Sequence, residues 1–109
     1  MTTYFVSRHA GAIAWAQQHA LSIDAWIEHL DTARLLPGDC VIGTLPIHRV
    51  AEVCARGGVY LHLQFDLSAP QRGRELDAAD LDALGARLVS YCVTELPVAP
   101  PTLKDKPDA

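Results

Sequence analysis

The chain has 109 residues, half of them hydrophobic and a fifth charged, with a formal net charge of −4. That length bounds it to one domain, with a modest core that a subunit interface would help to complete. The acidic balance excludes the broad basic face that long nucleic acids require. No apolar run approaches the ~20 residues of a membrane helix, and the first residues lack a secretory pattern, so the expectation is a cytoplasmic protein with no membrane partner.

The kind of cation is more telling than the total. Both lysines, Lys104 and Lys106, lie at the C-terminal end, and every other cation is an arginine: Arg8, Arg34, Arg49, Arg56, Arg72, Arg74 and Arg87. A Schiff-base or P-loop lysine in the body of the chain is thereby excluded. Arginine forks hold phosphate bidentately and keep their charge, so a few of them converging would suit a small polyanion. Arg34, Arg56 and Arg87 read as ordinary surface residues. Cys40, Cys54 and Cys92 are far apart in sequence, without a C-x-x-C pair, and read as buried reduced thiols.

Residues 3–8 read as a buried strand and residues 11–20 as a helix, with Ala12, Ile13, Ala16 and Ala20 at helical spacing. Residues 23–30 alternate apolar and polar, which favours a strand. Leu36-Pro37-Gly38-Asp39 predicts a turn. A second buried strand covers residues 40–45. Pro46 then opens a helix with an apolar stripe of Ile47, Val50, Ala51 and Cys54, ended by Gly57-Gly58. Residues 59–66 read as a strand and 70–75 as a polar loop. Asp77, with Asp80 three residues on, caps a helix with a stripe of Leu81, Leu84 and Leu88, and residues 89–95 form the last strand. The folded domain is expected to span residues 1–96, followed by a Pro-rich disordered tail over 97–109. Strands alternating with helices predict an α/β fold with helices on both faces of a mostly parallel sheet. Ligands of such sheets bind at the carboxyl ends of the strands, near a switch in strand order.

Three segments on that rim carry chemistry. Ser7-Arg8-His9, followed by Gly11, joins a hydroxyl, a guanidinium and an imidazole to a helix start, whose free N–H groups suit an anion. Gly43-Thr44-Leu45-Pro46 with His48 repeats the theme: backbone access at Gly43, a hydroxyl at Thr44, another helix start. Arg72-Gly73-Arg74 forms a basic loop able to close over phosphate. His62, Gln64 and Asp66 share one face of their strand and line either a pocket or a subunit interface, with His62 alone reading as a satisfied core histidine. His19 and His29 read as structural or surface residues. The histidines lack metal-site spacing, so no metal or other cofactor is expected. A G-x-G-x-x-G or Walker pattern is missing. The histidine-phosphatase triad Arg-His-Gly is interrupted here by Ala10.

The segments Phe5-Val6-Ser7-Arg8-His9-Ala10-Gly11-Ala12, Val41-Ile42-Gly43-Thr44-Leu45-Pro46-Ile47-His48, Ala51-Glu52-Val53-Cys54-Ala55-Arg56-Gly57, Tyr60-Leu61-His62-Leu63 and Arg72-Gly73-Arg74-Glu75-Leu76 together resemble a small CRISPR-associated protein family of type III systems, over roughly residues 2–96. The resemblance implies a Rossmann-like domain similar to the CRISPR-associated Rossmann-fold (CARF) sensors, and a homodimer that binds cyclic tetra-adenylate. It further implies a ring nuclease, one that cleaves this second messenger and switches off the antiviral response.

The residues add a metal-independent mechanism as an expectation. A ribose 2′-hydroxyl attacks the neighbouring phosphate to give a 2′,3′-cyclic phosphate. Arg8 and the Gly43-Thr44 backbone stabilise charge, His9 or His48 moves the proton, and Ser7 and Thr44 orient the ribose or phosphate. Gly11, Leu45, Pro46, Gln64, Asp66, Arg72 and Arg74 complete the expected ligand-binding set. A non-catalytic protein that senses or sequesters the messenger would carry almost the same sequence. A general RNA-binding protein would need a basic face or more stacking aromatics than the 6% present here.

Overall fold

A computed structural model that describes residues 1–66 and 75–98 has five strands and three helices among them. Strand β1 covers Thr3–Val6, helix α1 Ala10–Gln18, β2 Ala25–Ile27, β3 Cys40–Gly43, α2 Ile47–Ala55, β4 Val59–Gln64, α3 Ala78–Ala83 and β5 Arg87–Tyr91. A short 3-10 turn at Thr32–Arg34, not expected from the sequence, is capped by the Asp31 carboxylate. The sheet order is β2-β1-β3-β4-β5, parallel except that β5 runs antiparallel to β4. The mixed, mostly parallel α/β architecture predicted from the alternating runs is therefore present.

The strand order reverses at the centre. The chain steps from β1 outward to β2, and from β3 outward to β4 on the other side. The crossovers thus place α1 and α2 on opposite faces. Phe5, Trp15, Ala16, Ile42, Leu63, Ala78 and Leu81 form the core between the sheet and α1 with α3. Val6, Leu35, Val41, Val50, Val53 and Tyr60 form the core beneath α2. The carboxyl ends of β1 and β3 lie side by side, with Val6 in register with Gly43.

Each strand is shorter than its apolar run. β1 ends at Val6, β3 at Gly43 and β4 at Gln64, so Ser7, Arg8, Thr44 and Asp66 lie in the loops beyond. The alternating 23–30 segment contributes only an edge strand of three residues. On α2 the buried side chains are Val50 and Val53, whereas Ile47, placed in the stripe by spacing, is 72% exposed because it starts the helix clear of the sheet. Leu88 belongs to β5, not to the helix after Asp77: α3 stops at Ala83 and Gly85 turns the chain with φ +72. The capping box of Asp77 and Asp80 is formed as expected. The Leu36–Asp39 turn also forms, closed by Asp39 N–H to Leu36 O at 3.0 Å with Gly38 at φ +89. Asp39 is buried there and accepts from Thr2 N–H (2.9 Å) and Leu36 N–H (3.0 Å), two bonds that hold its pKa below the usual carboxylate value.

The cysteines depart from the expectation of buried thiols. Cys92 is exposed, and Cys40 and Cys54 are half-buried. The fold brings Cys54 against the chain around Cys92: Val93 N–H lies 3.4 Å from Cys54 Sγ, and the Cys92 thiol is raised in pKa by its hydrogen bond with Cys54. No helix among the described residues is long and apolar enough to cross a membrane. Residues 99–109, most of the expected tail, lie outside the described residues, as does most of the 70–75 loop.

One carboxylate ties α3 to α1. Asp82 Oδ1 accepts from Trp15 Nε1–H at 2.9 Å and bonds His19 Nε2 at 2.8 Å, while the Trp15 and His19 rings stand 4.4 Å apart. The His19 bond, then that of Trp15, lowers the Asp82 pKa. A depressed pKa in the folded state stabilises above the unfolded value, and that stability is lost as pH falls through the folded value. Thermal melts of Asp82→Ala against wild type should show a lower Tm for the variant at neutral pH. The gap should close as the buffer is taken below the ordinary Asp value of about 3.9. A gap of unchanged size in acid would mean that the charge of Asp82 is not what holds the two helices.

Candidate functional site

A cavity of about 650 Å³ opens at the carboxyl edge of the sheet, where β1 and β3 meet. Its inner lining is apolar: Phe5, Val6, Ala12, Leu63, Phe65, Leu76 and Leu81. Its rim is polar: Ser7, Arg8 and His9 after β1, Gly43 and Thr44 after β3, and Glu75 before α3. This is the crevice at the reversal of strand order where open α/β sheets bind ligands. An apolar floor with a few convergent polar groups is the usual build of a small-molecule site.

The rim after β1 is tightly folded. Ser7 N–H donates to Ile27 O at 3.0 Å, extending the pairing of β1 with β2, and Ser7 Oγ accepts from His9 N–H at 3.1 Å. His9 is the N-cap of α1 in extended conformation, and its ring makes no capping bond. The first amides of α1 therefore have neither an intrahelical partner nor a cap from the His9 side chain, and of these residues Ala12 lines the cavity.

Among the described cations, one residue stands apart. Arg49 pairs with Glu52 at 3.0 Å, Arg34 sits 3.7 Å from Asp31, Arg56 bonds Ala33 O and Arg87 bonds Gly85 O. Glu52 also accepts from Thr32 Oγ1 at 3.1 Å, and these partners, Arg49 first, lower its pKa. Arg8 is exposed and makes no hydrogen bond or ion pair with any described residue. Its guanidinium is thus available at the cavity rim.

The second segment divides. Gly43 and Thr44 line the cavity, but Leu45 turns into the core beneath α2 and Pro46 is the N-cap of α2. Gly43 is required by packing as well as by access, since a Cβ there would stand 2.7 Å from Val6 O. His48 lies in a separate groove of about 350 Å³ with Ala51, Glu52, Cys54, Ala55, Val93, Thr94 and Glu95, so His9 and His48 are not brought together.

Gly11 is buried, and a Cβ on it would fall 1.8 Å from Leu76 O; it serves the contact of α1 with the segment before α3 instead of lining the cavity. Gln64 accepts from the Tyr91 hydroxyl, and Asp66 N–H bonds Leu84 O at 3.4 Å; neither side chain lines the cavity. Arg72 and Arg74 lie outside the described residues. Among the described residues no three His, Cys, Asp or Glu side chains gather as a metal set.

Sequence reasoning missed the cavity floor and Glu75. Alternation along β4 separates Leu61, Leu63 and Phe65 from His62, Gln64 and Asp66, but does not say which face meets the opening. The polar face drew attention, whereas Leu63 and Phe65 form the floor. It also missed Tyr60, which is 2% exposed and whose hydroxyl touches Gly43 O, Leu45 N and His62 Nδ1.

Substitution separates packing from access on the β3 side. Gly43→Ala should destabilise the fold by about 1–3 kcal/mol in chemical denaturation, as overpacking does. The exposed Thr44→Ala should stay within ~0.5 kcal/mol. Equal midpoints for the two variants would mean that β1 and β3 yield at this point without cost.

A family model described as a putative CRISPR-associated protein (Cas_VVA1548) matches residues 4–94. No curated protein and no solved structure matches the chain. The matched region runs from β1 past the end of β5 and takes in the whole rim and floor of the cavity, and the chain accordingly belongs to this family of CRISPR-associated proteins.

Proposed function

We propose that the chain is a metal-independent ring nuclease for cyclic tetra-adenylate, acting from the cavity between β1 and β3 in a CARF-like, Rossmann-type domain. The observation that carries this reading is Arg8, without a partner among the described residues, set beside His9 and the start of α1 at the polar rim of a cavity with an apolar floor. The apolar floor suits a nucleobase and the rim suits its phosphate. Membership of a CRISPR-associated family supports a messenger of that defence as the ligand. Glu75 on the same rim is an acceptor for the exocyclic amine of adenine and discourages a second phosphate. One such cavity takes one nucleotide unit. A two-fold pair of chains would present the site twice to a four-fold ring, which is why a homodimer belongs to the proposal.

The chemistry asks little of the protein beyond placement and charge. The ribose 2′-oxygen attacks the adjacent phosphorus, the P–O5′ bond breaks, and the products are a 2′,3′-cyclic phosphate and a free 5′-hydroxyl. Arg8 and the α1 amides stabilise negative charge on the non-bridging oxygens. The His9 imidazole takes the 2′-hydroxyl proton or delivers one to the 5′-oxygen. Ser7 and Thr44 orient the ribose and phosphate. His48, held in its own groove, has no step in this scheme.

The test is turnover of purified protein with a large molar excess of cyclic tetra-adenylate in EDTA, followed by chromatography. Many rings cleaved per chain, with 2′,3′-cyclic phosphate ends, are expected. His9→Ala should slow the chemical step by about 100-fold or more, within the range for a lost acid or base. Arg8→Ala should weaken binding on the order of tenfold or more, as loss of a charged hydrogen bond does. His48→Ala should remain near wild type. Binding that saturates without turnover would make the protein a sensor or sponge, and no binding would remove cyclic tetra-adenylate as its ligand.

A further inference from the structure

The Tyr60 hydroxyl lies where three groups converge: Leu45 N–H at 3.0 Å, Gly43 O at 2.9 Å and His62 Nδ1 at 2.7 Å. A phenol has one proton to donate and room to accept two. Leu45 N–H can only donate, and takes one accepting position. Gly43 O can only accept, so the single phenolic proton must go to it. Were that proton given to His62 instead, the Gly43 carbonyl and the phenol would face each other at 2.9 Å in a buried place, lone pair against lone pair. The remaining partner, His62 Nδ1, must then carry a hydrogen and donate it. Burial raises the Tyr60 pKa, with the Leu45 amide opposing, so the phenol keeps the proton this arrangement needs.

The consequence reaches the site. Gly43 and Leu45 bracket Thr44, and Gly43 and Thr44 form the β3 side of the cavity rim. His62 is the register partner of Gly43 on β4, and its ring is set edge-on to Tyr91 with centroids 6.0 Å apart. We propose that Tyr60 and His62 are positioning residues for the rim: His62 is held with its proton on Nδ1, and through Tyr60 that donor fixes the Gly43-Thr44-Leu45 turn against the cavity. The effect on ligand rests on the ring-nuclease reading; the tautomer and the order of the turn do not.

The experiment is nitrogen-15 NMR of the labelled full chain, with binding of cyclic tetra-adenylate measured in parallel. In the neutral ring of wild type, His62 Nδ1 should show the shift of a protonated nitrogen and Nε2 that of a lone-pair nitrogen; the reverse assignment overturns the proposal. Tyr60→Phe keeps the apolar ring and should remain folded. Its Leu45 amide should exchange faster with solvent, and cyclic tetra-adenylate should bind about tenfold more weakly. His62→Asn, whose amide nitrogen stands where Nδ1 did, should retain Leu45 protection and binding, whereas His62→Leu, which leaves the phenol its Gly43 and Leu45 bonds but removes the donor that holds it in place, should lose part of both. Unchanged Leu45 exchange in Tyr60→Phe and His62→Leu would sink the positioning role. If wild type fails to bind the ring while the tautomer and exchange results hold, the ring-nuclease reading fails and the positioning of the turn stands.

Discussion

The closeness of β1 and β3 at their carboxyl ends is the constraint on which the rest of the site depends. Val6 and Gly43 are in register, and a side chain on Gly43 would run into the Val6 carbonyl. Only a residue without a Cβ lets the two central strands stay paired to their last residue. Beyond that point the crossovers carry α1 and α2 to opposite faces, so the two loops must part, and the cavity is the space they leave. The same reversal of strand order puts Arg8, His9 and Thr44 on one mouth, although more than thirty residues separate the first from the last. A glycine that looks like a ligand contact in the sequence is, first, a packing requirement from which the opening follows.

Much of the fold was legible because each buried strand is a short apolar run and each helix carries punctuation. Val41-Ile42, Pro37-Gly38, Gly57-Gly58 and the Asp77–Asp80 pair all formed what their chemistry implies. The element ends were less legible. Apolar character continues past the last ladder bond, so the runs over 3–8, 40–45 and 59–66 outlast their strands, and Leu88 continues the α3 spacing past Gly85, where the helix has ended. In the candidate site, Ser7, Arg8, His9, Gly43 and Thr44 were found together from the strand-then-helix pattern. His48 was drawn in by nearness in sequence, but α2 carries it to the groove beside Val93. The floor residues Leu63 and Phe65 could not be told from ordinary core residues, since alternation defines two faces without saying which one opens. The neighbourhood of Cys54 and Cys92 depends on β5 pairing beside β4, which no local pattern states.

An acidic chain can still hold a cationic site if its other cations are spent locally. Arg34 and Arg49 each have a carboxylate within reach, and Arg56 and Arg87 bond backbone carbonyls. Exposed pairs of this kind contribute little stability, but they quiet the field around them. Among the described residues, what remains is the Arg8 guanidinium beside one helix start, with Glu75 across the rim. Such a rim suits one anionic group better than the backbone of a polymer, in keeping with the net charge of −4.

Tyr60 shows why core and site cannot be assigned to separate residues in so small a protein. Its ring fills the layer beneath α2 with Val41, Val50 and Val53, and by burial alone it would count as packing. Its hydroxyl, at the far end of the same ring, meets the turn that follows β3. Desolvation keeps the phenol neutral, and a neutral phenol whose one proton goes to a carbonyl has none for its third neighbour, which can then approach only as a donor. The position of the proton on His62 is thereby set by the need to keep two buried lone pairs from facing each other. A replacement that preserved the volume of Tyr60 would keep the layer intact, yet release the Gly43-Thr44-Leu45 turn from its anchor. Shape in the core and order at the rim are carried by different atoms of one side chain.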